Sequence, residues 1–138
     1  MKKEYKLGLE ELPKLTQDVL EIFSNGVIIL RGDLAAGKTT LVKTFAKELG
    51  CDEEVTSPTF SLQQCYGEKI FHYDIYNHGL EHFMALGMLE ELDKEGVHFI
   101  EWGDDTLVEL LESAGIDVMT IDIKKISDKA REYSVCIH

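Results

Sequence analysis

The hydrophobic positions change period several times along the chain, and each change marks an element. Glu4-Tyr5-Lys6-Leu7 alternates as a short strand does. From Leu9 to Phe23 the apolar residues Leu12, Leu15, Val19, Ile22 and Phe23 fall on one helical stripe. Pro13 sits in the first turn, where a helix tolerates it, and Asn25-Gly26 ends the run. Val27-Ile28-Ile29-Leu30 is a continuous β-branched run, the signature of a strand buried on both faces of a parallel sheet. A glycine-bearing turn follows, then a second helical stripe at Leu41, Val42, Phe45, Ala46 and Leu49, closed by Gly50. Residues 61–66 and 70–74 read as two strands hinged at Gly67-Glu68. Leu80, Phe83, Met84 and Met88 predict a third helix, Val97 to Ile100 a strand, and Leu107, Leu110, Leu111 and Ala114 a fourth helix ended by Gly115. Strands over 118–123 and 132–137 close the pattern, with a turn near Ser127-Asp128. Strands alternating with helices and then pairing with each other predict a three-layer α/β fold, its sheet mixed, mainly parallel, with antiparallel additions. No linker divides residues 1–138, so a single domain is expected.

Charge and composition narrow the function. The 138 residues carry 14 Lys+Arg against 26 Asp+Glu, a formal charge of −12. Tight nucleic-acid binding draws on clustered Lys and Arg, so a stand-alone DNA or RNA binder is disfavoured and basic partners or small ligands are favoured. No apolar run is long enough to span a bilayer, and Met1-Lys2-Lys3-Glu4-Tyr5 is not the start of a signal peptide; a cytoplasmic protein is expected. Cys51, Cys65 and Cys136 form no CxxC pair and read as reduced thiols. His72, His78 and His82 show no zinc spacing with them; His72 and His82 read as core-edge or surface residues.

The chemistry lies in the turn after the first buried strand. Gly32-Asp33-Leu34-Ala35-Ala36-Gly37-Lys38-Thr39 satisfies GxxxxGK[ST] in full, between a buried strand and an amphipathic helix as that motif requires. Gly32 and Gly37 let backbone N–H groups curl around phosphate oxygens, and the helix opening near Lys38 adds its positive end. Lys38 supplies a point charge to the β- and γ-phosphates, the Thr39 hydroxyl suits Mg²⁺, and Thr40 offers a further phosphate contact. The expected ligand is a nucleoside triphosphate with Mg²⁺. No Asn-Lys-x-Asp or Thr-Lys-x-Asp signature of a guanine site occurs, which favours ATP. Such a site also needs an acid at a strand end. Asp74, closing Ile70-Phe71-His72-Tyr73-Asp74, and Glu101, closing Val97-His98-Phe99-Ile100-Glu101, both qualify. Only Arg31 and Arg131 exist, too few for the arginine-rich lid of a small-molecule kinase. That kinase is the competing reading; slow hydrolysis awaiting a partner is the favoured one.

Four motifs in order go beyond a generic nucleotide site. Residues 32–41, then Ser57-Pro58-Thr59-Phe60, then His72-Tyr73-Asp74-Ile75-Tyr76, then Glu101-Trp102 resemble the TsaE (YjeE) family, the small ATPase of bacterial tRNA threonylcarbamoyladenosine synthesis. The resemblance implies a P-loop NTPase fold and a Mg-ATP-dependent role beside the TsaD–TsaB complex, which transfers threonylcarbamoyl to adenosine 37 of tRNAs reading codons that begin with A. It implies Thr39 and Glu101 at the magnesium, and Asp74 and Trp102 in turnover. It also implies Ser57 to Phe60 as a switch-like loop, Arg131 near the nucleotide and Gly8-Leu9 beside the base. As the sole Trp, Trp102 could also be simple core, but its place directly after Glu101 favours an exposed role beside the site. Three positions depart from the family pattern: Ala35 and Gly103 replace its usual Gly and Pro, and Asn77 replaces its usual Arg. The charge fits a division of labour in which the partners touch tRNA and this chain docks on them, through surfaces that include the acidic run Glu90 to Glu95. The same run is also what a merely solvated face would carry.

Overall fold

The computed structural model describes residues 2–33, 37–51, 63–67, 69–75, 81, 84 and 87–138. Seven strands form one sheet: β1 (Lys2–Leu7), β2 (Gly26–Arg31), β3 (Gln63–Cys65), β4 (Ile70–Asp74), β5 (Val97–Glu101), β6 (Val118–Lys125) and β7 (Arg131–Ile137). Their order across the sheet is β1-β7-β6-β2-β5-β4-β3. The central four, β6, β2, β5 and β4, run parallel. β7 and β1 add antiparallel on one side and β3 on the other.

The helices whose bounds lie among the described residues are α1 (Leu12–Ile22), α2 (Lys38–Glu48), α3 (Met88–Glu91) and α4 (Asp105–Ser113), with a 3-10 turn at Leu9–Glu11 ahead of α1. Side-chain alternation along β2 separates two cores. Ile28 and Leu30 pack with Leu12, Leu15 and Val19 of α1 and with Leu41, Val42 and Phe45 of α2. Val27 and Ile29 face the other way, onto Leu107, Val108 and Leu111 of α4. The result is the three-layer arrangement expected from the continuous apolar run, since only a strand covered on both faces needs one. Asp104 is the N-cap of α4, and its carboxylate accepts from Leu107 N at 3.0 Å.

The strands over 118–125 and 131–137 run slightly longer than the hydrophobic pattern predicts, because hairpin pairing carries the ladder past the buried positions to Lys125↔Arg131. Of the predicted third helix, Glu81 and Met84, both helical, Gly87 and α3 lie within the described residues, and Leu80 and Phe83 lie outside them. The predicted strand from Ser61 begins at Gln63 among the described residues. The three cysteines are free thiols. No helix among the described residues is long and apolar enough to cross a membrane.

Candidate functional site

β5 lies between β2 and β4, with Leu30 and Asp74 each in register with Glu101. The three strands therefore deliver the start of the glycine loop and both candidate acids to one end of the sheet. Open α/β sheets bind ligands outside the carboxyl ends of their strands, and this is that end.

α2 begins at Lys38, and Gly37 is its N-cap with φ 109°. A Cβ on Gly37 would meet nothing within 4 Å, so backbone conformation rather than space requires glycine there. The first N–H groups of α2 have no partner within the helix, and its dipole favours an anion beyond them. Lys38 is only 5% exposed; its Nζ donates to Gly32 O (2.8 Å) and Asp33 O (2.9 Å) and lies 4.0 Å from the centre of the Trp102 ring. Burial pulls its pKa below the ordinary lysine value, against the opposing pull of Glu101, Asp74 and Asp33. A desolvated ammonium among carboxylates is poised for a polyanion that neutralises it better than carbonyls do.

Next along α2, Thr39 Oγ1 donates to Glu101 Oε2 at 3.0 Å. A hydroxyl that gives away its proton keeps both lone pairs, so Thr39 can still act as a metal ligand. A hydroxyl and a carboxylate are hard oxygen donors that fit magnesium, which takes few protein ligands beside phosphates and water. Accordingly, the described residues contain no cluster of three or more His, Cys, Asp or Glu that could hold a metal unaided. Asp74, 9% exposed, ends β4 beside them.

Trp102 follows Glu101 in a left-handed backbone conformation, φ 73°, with its N–H bonded to Leu30 O at 3.0 Å. Half-buried, it offers its ring face to Lys38 rather than disappearing into the core. Gly103 comes next, where a Cβ would lie 2.7 Å from Ile29 Cγ2. Arg31 Nε donates to Gly103 O at 2.9 Å, and its Nη2 pairs with Asp105 Oδ1 at 2.9 Å, off line for a hydrogen bond. Arg31 thus clamps the 102–105 turn to β2 and serves packing.

On the other side of the α2 N-terminus, a cavity of about 250 Å³ is lined by Leu9, Gly37, Thr40, Asp128, Arg131 and Tyr133, among others. It brings Arg131, Thr40 and the Gly8-Leu9 turn together from three distant parts of the chain. A larger cavity, about 860 Å³, opens among Asn25, Cys51, Tyr66, Ile70 and Val97 at the opposite ends of the strands and shares no residue with this site. Ala35, Ala36, Ser57 to Phe60, Tyr76 and Asn77 lie outside the described residues.

One residue contradicts its sequence reading. His72, expected at the core edge or surface, is fully buried, with Nε2 2.5 Å from Glu101 Oε2. The signal was present: Ile70, His72 and Asp74 share one face of β4, so His72 sits between an apolar core residue and a site acid.

The family model for threonylcarbamoyl adenosine biosynthesis protein TsaE matches residues 8–133. The tRNA threonylcarbamoyladenosine biosynthesis protein TsaE of Treponema pallidum is 41% identical over 112 residues, covering 79% of this chain and 80% of its own. That of Bacillus subtilis is 38% identical over 109 residues, 77% of this chain and 66% of its own. The crystal structure of Bacillus subtilis YdiB superposes with a TM-score of 0.73 at 27% identity, covering 98% of this chain and 84% of that one. The chain therefore belongs to the TsaE family of tRNA threonylcarbamoyladenosine biosynthesis proteins.

Proposed function

We propose that this protein binds ATP with Mg²⁺ at the end of β2, hydrolyses it slowly alone, and through that cycle supports threonylcarbamoyl transfer to adenosine 37 by the TsaD–TsaB complex. The observation that carries the nucleotide reading is the convergence of Lys38, Thr39 and Glu101, with Thr39 bonded to Glu101 across 62 residues of sequence. The α2 N-terminus, with Gly32, Ala35, Ala36, Gly37 and Thr40, cradles the phosphates, and Lys38 exchanges its two carbonyl partners for phosphate oxygens. Thr39 and Glu101 would hold the magnesium ion, which when bound neutralises charge on the phosphates. Asp74, at the end of β4 in register with Glu101, orients a water molecule, and the Trp102 ring shields Lys38 from solvent. The cavity with Leu9, Thr40 and Arg131 takes the nucleoside end.

Arg31 is committed to Gly103 and Asp105, and Arg131 sits in the nucleoside cavity. Neither is placed to stabilise charge at a γ-phosphate, a contribution worth about 10³–10⁵ in rate. A partner supplying it explains slow hydrolysis alone. In this reading the partners carry the tRNA contact, the chain is cytoplasmic, and neither DNA nor membrane is involved. Among Glu90 to Glu95, Glu90, Asp93, Lys94 and Glu95 are exposed, and Leu92 anchors the segment in the core, which leaves an acidic face for a basic partner surface.

The deciding experiment is multiple-turnover threonylcarbamoyl transfer by purified TsaD–TsaB on tRNA, with and without this chain. Stimulation lost in Lys38→Ala supports the proposal. Fast partner-independent turnover refutes it, and phosphorylation of a metabolite by the chain alone favours a kinase.

A further inference from the structure

Glu101 is gripped from behind. His72 is wholly buried in β4, and the carboxylate it touches is 4% exposed. An ionised carboxylate only accepts, so His72 Nε2 carries the proton of their 2.5 Å contact. The other ring nitrogen is engaged too: with the proton on Nε2, Nδ1 accepts from the Tyr66 hydroxyl at 3.2 Å, whose single proton is shared with Gln64 Oε1 at 2.7 Å. Tyr66 is itself 3% exposed, so the imidazole is held at both nitrogens inside the core.

Both side-chain contacts to Glu101 fall on the same oxygen. Thr39 Oγ1 and His72 Nε2 each donate to Oε2, while Oε1 has no hydrogen-bond partner among the described residues. Two donors from different elements, α2 and β4, fix the carboxylate's rotation and leave one oxygen uncommitted beside a hydroxyl with two unused lone pairs. An apolar side chain would fill the space of His72 without burying a polar ring, but it would leave Glu101 free to turn.

We propose that His72, clamped by Tyr66, is a positioning residue that holds Glu101 by Oε2 so that Oε1 and the Thr39 hydroxyl are presented together to the magnesium ion accompanying the nucleotide. This rests on the Mg-ATP reading above. Groups that orient metal-binding residues cost about 10–100-fold in metal affinity when removed, and His72 falls in that class.

Trp102 is the chain's sole tryptophan and lies against Lys38, so its emission reports occupancy without turnover. The test titrates magnesium into the full-length protein saturated with a non-hydrolysable ATP analogue, followed by Trp102 fluorescence and calorimetry. Nucleotide affinity is measured separately in chelator. His72→Gln and His72→Asn form the informative pair, because the glutamine amide reaches where Nε2 lies and the asparagine amide does not. His72→Asn is expected to weaken magnesium about 10-fold or more, with His72→Gln close to the parent and chelator-measured nucleotide affinity unchanged in both. Tyr66→Phe, which keeps His72 and its contact to Glu101, is expected to give a smaller loss of the same kind. Equal magnesium affinity in the Asn and Gln variants, magnesium and nucleotide affinities falling in parallel, or an unaltered Tyr66→Phe protein would each overturn the clamp. A parent protein that binds no nucleotide would instead refute the reading on which the clamp rests.

Discussion

Replacing Trp102 by glycine should leave a more stable protein than replacing it by alanine, the reverse of the usual order. Both variants lose the ring, its packing against the core over α4 and its face toward Lys38, so those losses cancel in the comparison. What remains is the backbone. At φ 73° every residue with a Cβ carries a steric penalty of about 1–2 kcal/mol, which glycine escapes. Against this stands the greater freedom that glycine loses on folding, about 0.5–1 kcal/mol. The left-handed cost prevails, and the glycine variant is expected to be more stable by about 0.5–1 kcal/mol. For a chain of this length, that corresponds to a Tm about 2–4 °C higher. Urea unfolding followed by circular dichroism measures it directly, since neither variant retains a tryptophan. An alanine variant as stable as the glycine variant, at equal m-values, would show that Trp102 does not hold this conformation in solution and would remove the geometry that sets its ring against Lys38.

Two further outcomes follow from neighbouring groups. Gly103→Ala places a methyl 2.7 Å from Ile29 Cγ2 and 3.0 Å from Leu107 Cδ2, both side chains fully buried, and should destabilise by about 1–3 kcal/mol by overpacking in chemical denaturation; an unchanged midpoint would refute the close approach. Nucleotide affinity should fall as pH rises, beginning below the ordinary lysine pKa of 10.5, because burial lowers the Lys38 pKa while bound phosphate favours its protonated form. Calorimetry in buffers of different ionisation enthalpy would then show proton uptake on binding at alkaline pH, absent in Lys38→Met; binding independent of pH up to 10.5 would contradict it.

The parts of this fold that are written locally were legible in the sequence. Val27 to Leu30 specifies a strand covered on both faces, and Gly37-Lys38 marks the turn into the helix that follows. What the sequence does not carry is which distant strand lies beside β2. β5 and β6 flank it from about 70 and 90 residues away, and that order arises from packing across the sheet. The choice between Asp74 and Glu101 as the acid bonded to the phosphate-loop helix depends on that order. Glu101 makes the contact because β5 is the inner neighbour. His72 shows the same limit, since its role rests on a 2.5 Å approach between β4 and β5. Trp102 gave no hint of its left-handed backbone, because an indole side chain disfavours that conformation and only its surroundings impose it.

The pairing of β1 with β7 ties the two margins of the chain into one ladder, from Lys2↔Cys136 to Leu7↔Arg131. During synthesis β1 is made more than 120 residues before its partner β7, which pairs with β6 on its other side. Such distant pairing is slow, because a long loop must close before any contact rewards it. The nascent chain therefore carries an unmatched strand edge until β7 has been made. The cavity beside the phosphate loop shares this schedule, since Leu9 follows β1 while Arg131 and Tyr133 lie on β7. Leu9, Gly37 and Thr40 of its lining are translated long before Asp128, Arg131 and Tyr133. A chain cut short before β7 has the start of α2 but lacks the wall that Arg131 and Tyr133 give the cavity beside it.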